Sequence, residues 1–230
     1  VPTSFLTAIH LAAEIEKAEA ARRLGTCLPL LKAHGLEPFP FAADAWQNST
    51  PGVFGGTTLI HREFSSRTED PLWGAGFMFL PAPKAEATQI TMTTPANPLA
   101  TADDAWHWLT KLAEELCDAM GAQLGLINGF TPGSKDRSRG GTSAGPEVAP
   151  GHPPEVLCPW MYWSAARLDQ DDIRDGLRSV GDVAYRSSAS PTGGWVLQAY
   201  DDHSGSAPEE LLERCAEAWH TPRLQWLGLR

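Results

Sequence analysis

Residues 160–163 read Trp-Met-Tyr-Trp, and no other short run restricts the fold of this chain as tightly. Successive side chains of a strand point to opposite faces, so Trp160 and Tyr162 fall on one face and Met161 and Trp163 on the other. A strand with one face in water alternates bulky with polar residues; this one does not. Either both faces are covered by helices, or one face is presented to a ligand or partner. The pair belongs to a set of nine tryptophans. Tryptophan supplies large buried area and anchors interfaces more readily than it does chemistry, so the composition leans toward a protein that grips something.

The rest of the chain supplies cover for such a strand. Ser4 to Leu24 reads as an amphipathic helix, with Leu6, Ile9, Ala13, Ala20 and Leu24 at helical spacing, Ser4 as N-cap and Gly25 as stop. A helical turn follows over Leu28 to His34. The period then changes: Thr57 to Phe64, Gly74 to Leu80 and Thr88 to Thr93 are short β-rich runs punctuated by Pro and Gly, the pattern of an antiparallel meander. Thr101 to Met120 is the clearest helix, with a capping-box-like Thr101 and Asp104, a stripe of Ala105, Leu109, Leu112, Leu116 and Met120, and Gly121 to close it. Leu124 to Phe130 returns as a strand.

Residues 131–154 form a Gly/Pro/Ser-rich loop carrying Lys135, Arg137 and Arg139. Beyond it come a strand (Leu157 to Ala165), a helix (Asp169 to Val180), two strands (Val183 to Ala189, Trp195 to Tyr200) joined by a Gly193-Gly194 hairpin device, and a last helix with a Ser206/Glu209 capping box. Strands in runs separated by long helices predict an α+β protein. The expected architecture is a single domain over 1–230, an antiparallel sheet with helices packed on one face and two ββα-containing halves that resemble each other in outline.

Twenty-eight acidic residues against 18 Lys and Arg leave a net charge of −10. That balance argues against nucleic acid, whose phosphates must be neutralised by cations. It suits a basic protein partner, or simply solubility. No apolar run approaches the ~20 residues of a membrane-spanning helix. Cys27, Cys117, Cys158 and Cys215 are far apart and form no CxxC pair, so they read as buried, reduced thiols of a cytoplasmic protein.

Motifs for catalysis are incomplete. Gly141-Thr142-Ser143-Ala144-Gly145 matches GxSxG, but the strand and helix that strain such a serine into a nucleophile are missing from its polar surroundings. Asp201-Asp202-His203 is the densest group of potential metal ligands, and it reads as a solvated turn before a helix. Phosphate-binding glycine loops do not occur. Catalytic residues, metal and cofactor are all expected to be none. Asp169-Gln170-Asp171-Asp172 lacks the spacing of a calcium loop and reads as acidic first-turn residues, or as part of an acidic docking face.

Three stretches carry a family resemblance: Trp-Met-Tyr-Trp-Ser (Trp160 to Ser164), Gly-Gly-Trp-Val-Leu-Gln-Ala-Tyr-Asp-Asp (Gly193 to Asp202), and the helix from Pro208 to Trp219. Together they resemble the C-terminal part of bacterial polymorphic-toxin immunity proteins, of the α+β type encoded beside restriction-endonuclease-fold toxins. The resemblance implies a non-catalytic inhibitor that binds and neutralises a cognate toxin domain in the cytoplasm of the producing cell. An acidic inhibitor would be steered onto a basic toxin cleft. The expected contacts are Asp169, Asp171, Asp172, Asp201 and Asp202, flanking Trp160 and Trp163. The alternative is a small-molecule enzyme of a bacterial pathway with a Trp-lined pocket.

Overall fold

A computed structural model describes residues 4–10, 17–38, 55–61, 74–80, 89–95, 103–130, 151, 154–201, 208–222 and 224–227. Its strands are β1 (Ser4–His10), β2 (Leu36–Pro38), β3 (Gly55–His61), β4 (Gly74–Leu80), β5 (Gln89–Pro95), β6 (Leu124–Phe130), β7 (Val156–Leu157), β8 (Trp160–Trp163), β9 (Arg186–Ala189), β10 (Trp195–Gln198) and β11 (Gln225–Trp226). The helices are α1 (Lys17–Thr26), α2 (Leu28–Ala33), α3 (Asp103–Met120), α4 (Ala165–Asp171), α5 (Arg174–Ser179) and α6 (Glu209–Ala218). One nine-stranded sheet runs β2-β3-β4-β5-β1-β6-β8-β10-β9, and β11 pairs with β7 beside it. Every neighbour in the large sheet is antiparallel. The protein is therefore α+β with an antiparallel sheet, as the alternation of periods predicts.

The opening segment departs from its expected helix. Ser4–His10 is a strand whose seven residues pair with β5 on one side and with β6 on the other. Leu6 and Ile9 fit a helical spacing, but Thr7 and Ile9 are β-branched and suit a pleated position between two neighbours. A helix there would leave each adjoining strand without a ladder on that side. Helix begins at Lys17, and Gly25 lies within the last turn of α1 rather than ending it.

The C-terminal end of α3 follows its sequence signal closely. Gly121 has φ +62°, its N–H donates to the Asp118 carbonyl at 3.2 Å, and the Ala122 N–H reaches the Cys117 carbonyl at 2.9 Å. This is the Schellman arrangement, in which a left-handed residue satisfies the orphan carbonyls of the last turn. The N-terminal cap residue Thr101 lies outside the described residues.

Register sorts the core into two faces. Leu124 and Leu126 of β6 stand opposite Trp163 and Met161 of β8, which stand opposite Trp195 and Leu197 of β10. This face packs against Leu168 of α4, Leu177 of α5, and Leu211, Cys215 and Trp219 around α6. On the other face Gly125, Tyr162 and Val196 share one row. There a side chain at Gly125 would overlap Cys117 Sγ, so the missing Cβ lets α3 lie close on the sheet. Helical cover over β6, β8 and β10 is thus on both faces rather than the single face expected, with α3 on one and α4 to α6 on the other, because both rows of β8 carry bulky apolar side chains. All four residues of β8 are buried.

Two expected helices change shape. The single helix over Asp169 to Val180 is α4 and α5, separated by Asp172 in the left-handed region at φ 52°. Ser164 caps α4, its Oγ accepting from the Arg167 N–H at 3.2 Å. In one continuous helix Leu168 would point about 140° away from Ile173, given 3.6 residues per turn. The break aims Leu168, Ile173, Leu177 and Val180 into one core. The last helix starts at Glu209 with Pro208 as N-cap, so the Ser206/Glu209 capping box is not its start. Glu209 and Glu210 occupy the first turn instead, where carboxylates favour the helix dipole. Ser206 itself lies outside the described residues.

Candidate interaction surface

Three of the seven expected contact residues are not on the surface. Trp160 and Trp163 are each 0 % exposed. Trp160 stacks on Tyr162, and Trp163 meets the edge of Trp219. Their bulk closes the two faces of β8, which is why neither ring reaches a partner. Asp171 is also buried, and its Oδ2 accepts from Arg167 Nε at 2.6 Å. Its Oδ1 accepts from the Gly151 N–H at 2.9 Å. A buried carboxylate needs such partners, because desolvation without them costs several kcal/mol. Asp171 is a fastener between α4 and the chain at residue 151.

Asp169, Asp172 and Asp201 are exposed, and Asp202 lies outside the described residues. Asp169 and Asp172 belong to a wider acidic surface. Asp175 is 94 % exposed and Asp182 is 69 % exposed, and Glu209, Glu210, Glu213 and Glu217 of α6 are also exposed. Two helices form its centre: α5 and α6 lie side by side, with Gly176 against Ala218 and Trp219 and with Arg214 donating to the Ser179 carbonyl at 2.7 Å. Arg174, Arg178 and Arg214 pair with Asp169, Asp175 and Asp182 at 3.0 Å each. Such solvated pairs are weak and exchange readily for another cation.

Asp201 stands at a second place, between α3 and β9. Its carboxylate lies 3.5 Å from His107 Nε2. The Tyr185 hydroxyl also bonds it, and that bond to an anion holds the Tyr185 phenol above its ordinary range. Neither His107 nor Tyr185 is flagged by local sequence. Both come to Asp201 through the sheet.

The carboxylates of α3 have a different task. Asp118 Oδ1 accepts from the Tyr162 hydroxyl at 2.9 Å and from Thr192 Oγ1 at 2.6 Å. Glu114 receives both terminal nitrogens of Arg186 at 2.7 and 2.9 Å. Glu115 meets His34 of the α2 cap at 2.7 Å. Burial raises the Tyr162 phenol well above its usual range, and the Asp118 charge adds to this against an opposing bond from Thr192. Asp118 and Glu114 hold α3 on the sheet, and Glu115 ties it to α2.

Nucleophile chemistry finds little support among the described residues. The four cysteines are free and buried. Burial raises the Cys117 and Cys158 thiols well above their ordinary range and the Cys215 thiol to about 12, so each stays protonated and unreactive near neutral pH. No group of three or more His, Cys, Asp and Glu side chains is placed to hold a metal among the described residues. Ser143 and the remainder of its GxSxG string lie outside them. No helix of the described residues is long and apolar enough to cross a membrane.

The whole arrangement has a counterpart among solved structures. The Pseudomonas aeruginosa T6SS protein PA0821 is similar with a TM-score of 0.52 and 13 % identity, over 96 % of this chain and 73 % of that one. At this identity the likeness is one of fold. No protein-family model and no curated protein sequence matches the chain.

Proposed function

We infer that this protein is a non-catalytic immunity protein, which binds a basic toxin domain in the cytoplasm of the bacterium that produces it and so neutralises the toxin. The observation that carries the reading is the acidic outer surface of α4, α5 and α6, where Asp169, Asp172, Asp175, Asp182, Glu209, Glu210, Glu213 and Glu217 are all exposed. Three of these acids pair with Arg174, Arg178 and Arg214, and the net negative charge left by the other five steers a basic partner and competes with a polyanionic substrate for the same cleft. Buried, protonated thiols support an inhibitor over an enzyme that works through cysteine. Sharing a fold with a T6SS protein is compatible with a place in a bacterial toxin system.

The test is association kinetics with the toxin domain encoded beside this gene. Association should slow by about tenfold or more between ~50 and ~500 mM salt, a range over which screening grows strongly. Glu213→Lys with Glu217→Lys, both exposed on α6, should slow it at low salt and leave the denaturation midpoint almost unchanged. No complex with that domain, or an association rate indifferent to salt, would overturn the reading.

A further inference from the structure

β9 ends the sheet, with β10 on one side of it. The hairpin between them decides which backbone groups face outward. Ser190 N–H donates to the Gly194 carbonyl at 2.9 Å, which makes 190 and 194 a hydrogen-bonded pair. By the antiparallel alternation Ser188 with Val196 and Arg186 with Gln198 are bonded pairs too, and the Ala199 N–H, turned to the Pro159 carbonyl, fits this; the pattern ends at Tyr185, whose N–H reaches the Ala199 carbonyl at 3.4 Å. Ser187 and Ala189 therefore turn their N–H and C=O groups away from β10. Among the described residues no backbone group meets them.

Natural sheets guard an open edge with lysine, proline, bulges or inward charge. β9 reads Arg-Ser-Ser-Ala, and its one charge is folded back: Glu114 of α3 holds the Arg186 guanidinium by both terminal nitrogens. The edge is left open to a second chain. At its start stands Tyr185, 54 % exposed, whereas the tryptophans at 106, 160, 163, 195 and 219 are all buried. Its hydroxyl bonds the Asp201 carboxylate, which is 56 % exposed. An exposed tyrosine ring beside a carboxylate suits a guanidinium or ammonium group, through the ring face and through charge.

We propose that β9 is a docking edge for an extended basic segment of a partner protein, which adds a strand on Ser187 and Ala189 and places an arginine or lysine against Tyr185 and Asp201. Main-chain bonds would supply the affinity and the Tyr185/Asp201 corner the preference for a basic side chain. The proposal takes from the immunity reading only that the partner is a basic protein. It locates the contact at the end of the sheet, next to the acidic helices that steer it.

The full chain, labelled with nitrogen-15, would be titrated with three short strand-forming peptides that alternate threonine with arginine, with glutamate or with serine. The arginine peptide should bind about tenfold tighter than the glutamate peptide. It should slow amide exchange at Ser187 and Ala189 while leaving Ser188, already bonded to β10, unchanged. Tyr185→Ala and Asp201→Asn should each weaken it by about fivefold or more. Ala189→Pro removes an outward N–H without touching the β10 ladder, and should abolish the protection. Equal binding of the arginine and glutamate peptides, unchanged exchange at Ser187 and Ala189 under saturating peptide, or no binding of any of the three would overturn the proposal. The neighbouring toxin domain separates the two readings. Binding it without protecting Ser187 and Ala189 removes the docking edge and keeps the immunity function; failure to bind it while the arginine peptide protects them does the reverse.

Discussion

The two faces of β6, β8 and β10 are closed by different physics. On the α4 to α6 side the contact is apolar: Leu168, Leu177, Leu211, Cys215 and Trp219 pack on Leu124, Met161, Trp163 and Leu197. On the α3 side, burial of Leu109, Ala113 and Cys117 is joined by directional bonds, Asp118 to Tyr162 and Thr192, and Glu114 to Arg186. Apolar burial is indifferent to orientation, so three short helices can be set by shape alone. A helix of 18 residues could slide or rotate along a flat sheet. Carboxylates four residues apart on α3, each bound to a different strand or turn, define one placement. The difference also explains where the acidic charge is free. Carboxylates facing the sheet from α3 are used inside the molecule, whereas those of α4 to α6 mostly face water.

The sharpest way to break this contrast is at the buried Arg167–Asp171 contact on the apolar side. Arg167→Met leaves the Asp171 carboxylate buried without its guanidinium and should cost about 3–5 kcal/mol in urea or thermal unfolding. Arg167→Met with Asp171→Leu should recover part of that loss, since it removes the stranded charge but leaves the Gly151 N–H without its acceptor. If the double variant is as unstable as the single, the pair is a specific fastener and the α4 side is less purely apolar than its packing indicates.

On the α3 side Leu112 is fully buried, and Leu112→Ala should cost about 2–5 kcal/mol by denaturation. Tyr162→Phe keeps the ring but removes one bond to Asp118, which still holds Thr192; a loss of about 1–2 kcal/mol is expected. A Tyr162→Phe midpoint equal to wild type would show that the seam on α3 contributes position without stability.

The thiols offer a measurement on both faces at once. Cys117 projects from α3 onto the sheet at Gly125, and Cys158 and Cys215 lie in the α4 to α6 core. Because burial raises all three, iodoacetamide at pH 8 should label none of them in the native protein, and labelling should appear only as each layer opens. Labelling of Cys158 and Cys215 ahead of Cys117 would show that the directional seam is the more stable cover. The smallest effect is expected at the ends of two helices. α6 closes with the same pair of bonds as α3, Thr221 N–H to Ala216 O and His220 N–H to Glu217 O, yet with His220 at φ 52° where α3 has glycine. His220→Gly should raise stability by about 0.5–1 kcal/mol, since a left-handed non-glycine residue is strained.

Features held within a single turn or one strand were legible in the chain itself. Leu124 to Phe130, the three-strand meander, the body and C-cap of α3 and the Gly193-Gly194 hairpin all follow from local periodicity and turn chemistry; the covered faces of Trp160 to Trp163 do not, since the same residues also fit a partner-facing strand. Of the candidate surface, Asp169, Asp172 and Asp201 could be read as exposed acids, and that much holds.

Tertiary structure alone decided the rest, for one reason: each such feature depends on a partner far along the chain. Ser4 to His10 is a strand because β5 and β6 flank it, in spite of its helical spacing. Asp171 is buried because the Gly151 N–H, 20 residues back along the chain, comes to it beside Arg167, although its neighbours Asp169 and Asp172 face water. Asp118 meets Thr192 across 74 residues, and Glu114 meets Arg186 across 72. No window of sequence contains both members of such a pair, and the free energy that settles them comes from burial and bonding that exist only once the sheet has formed.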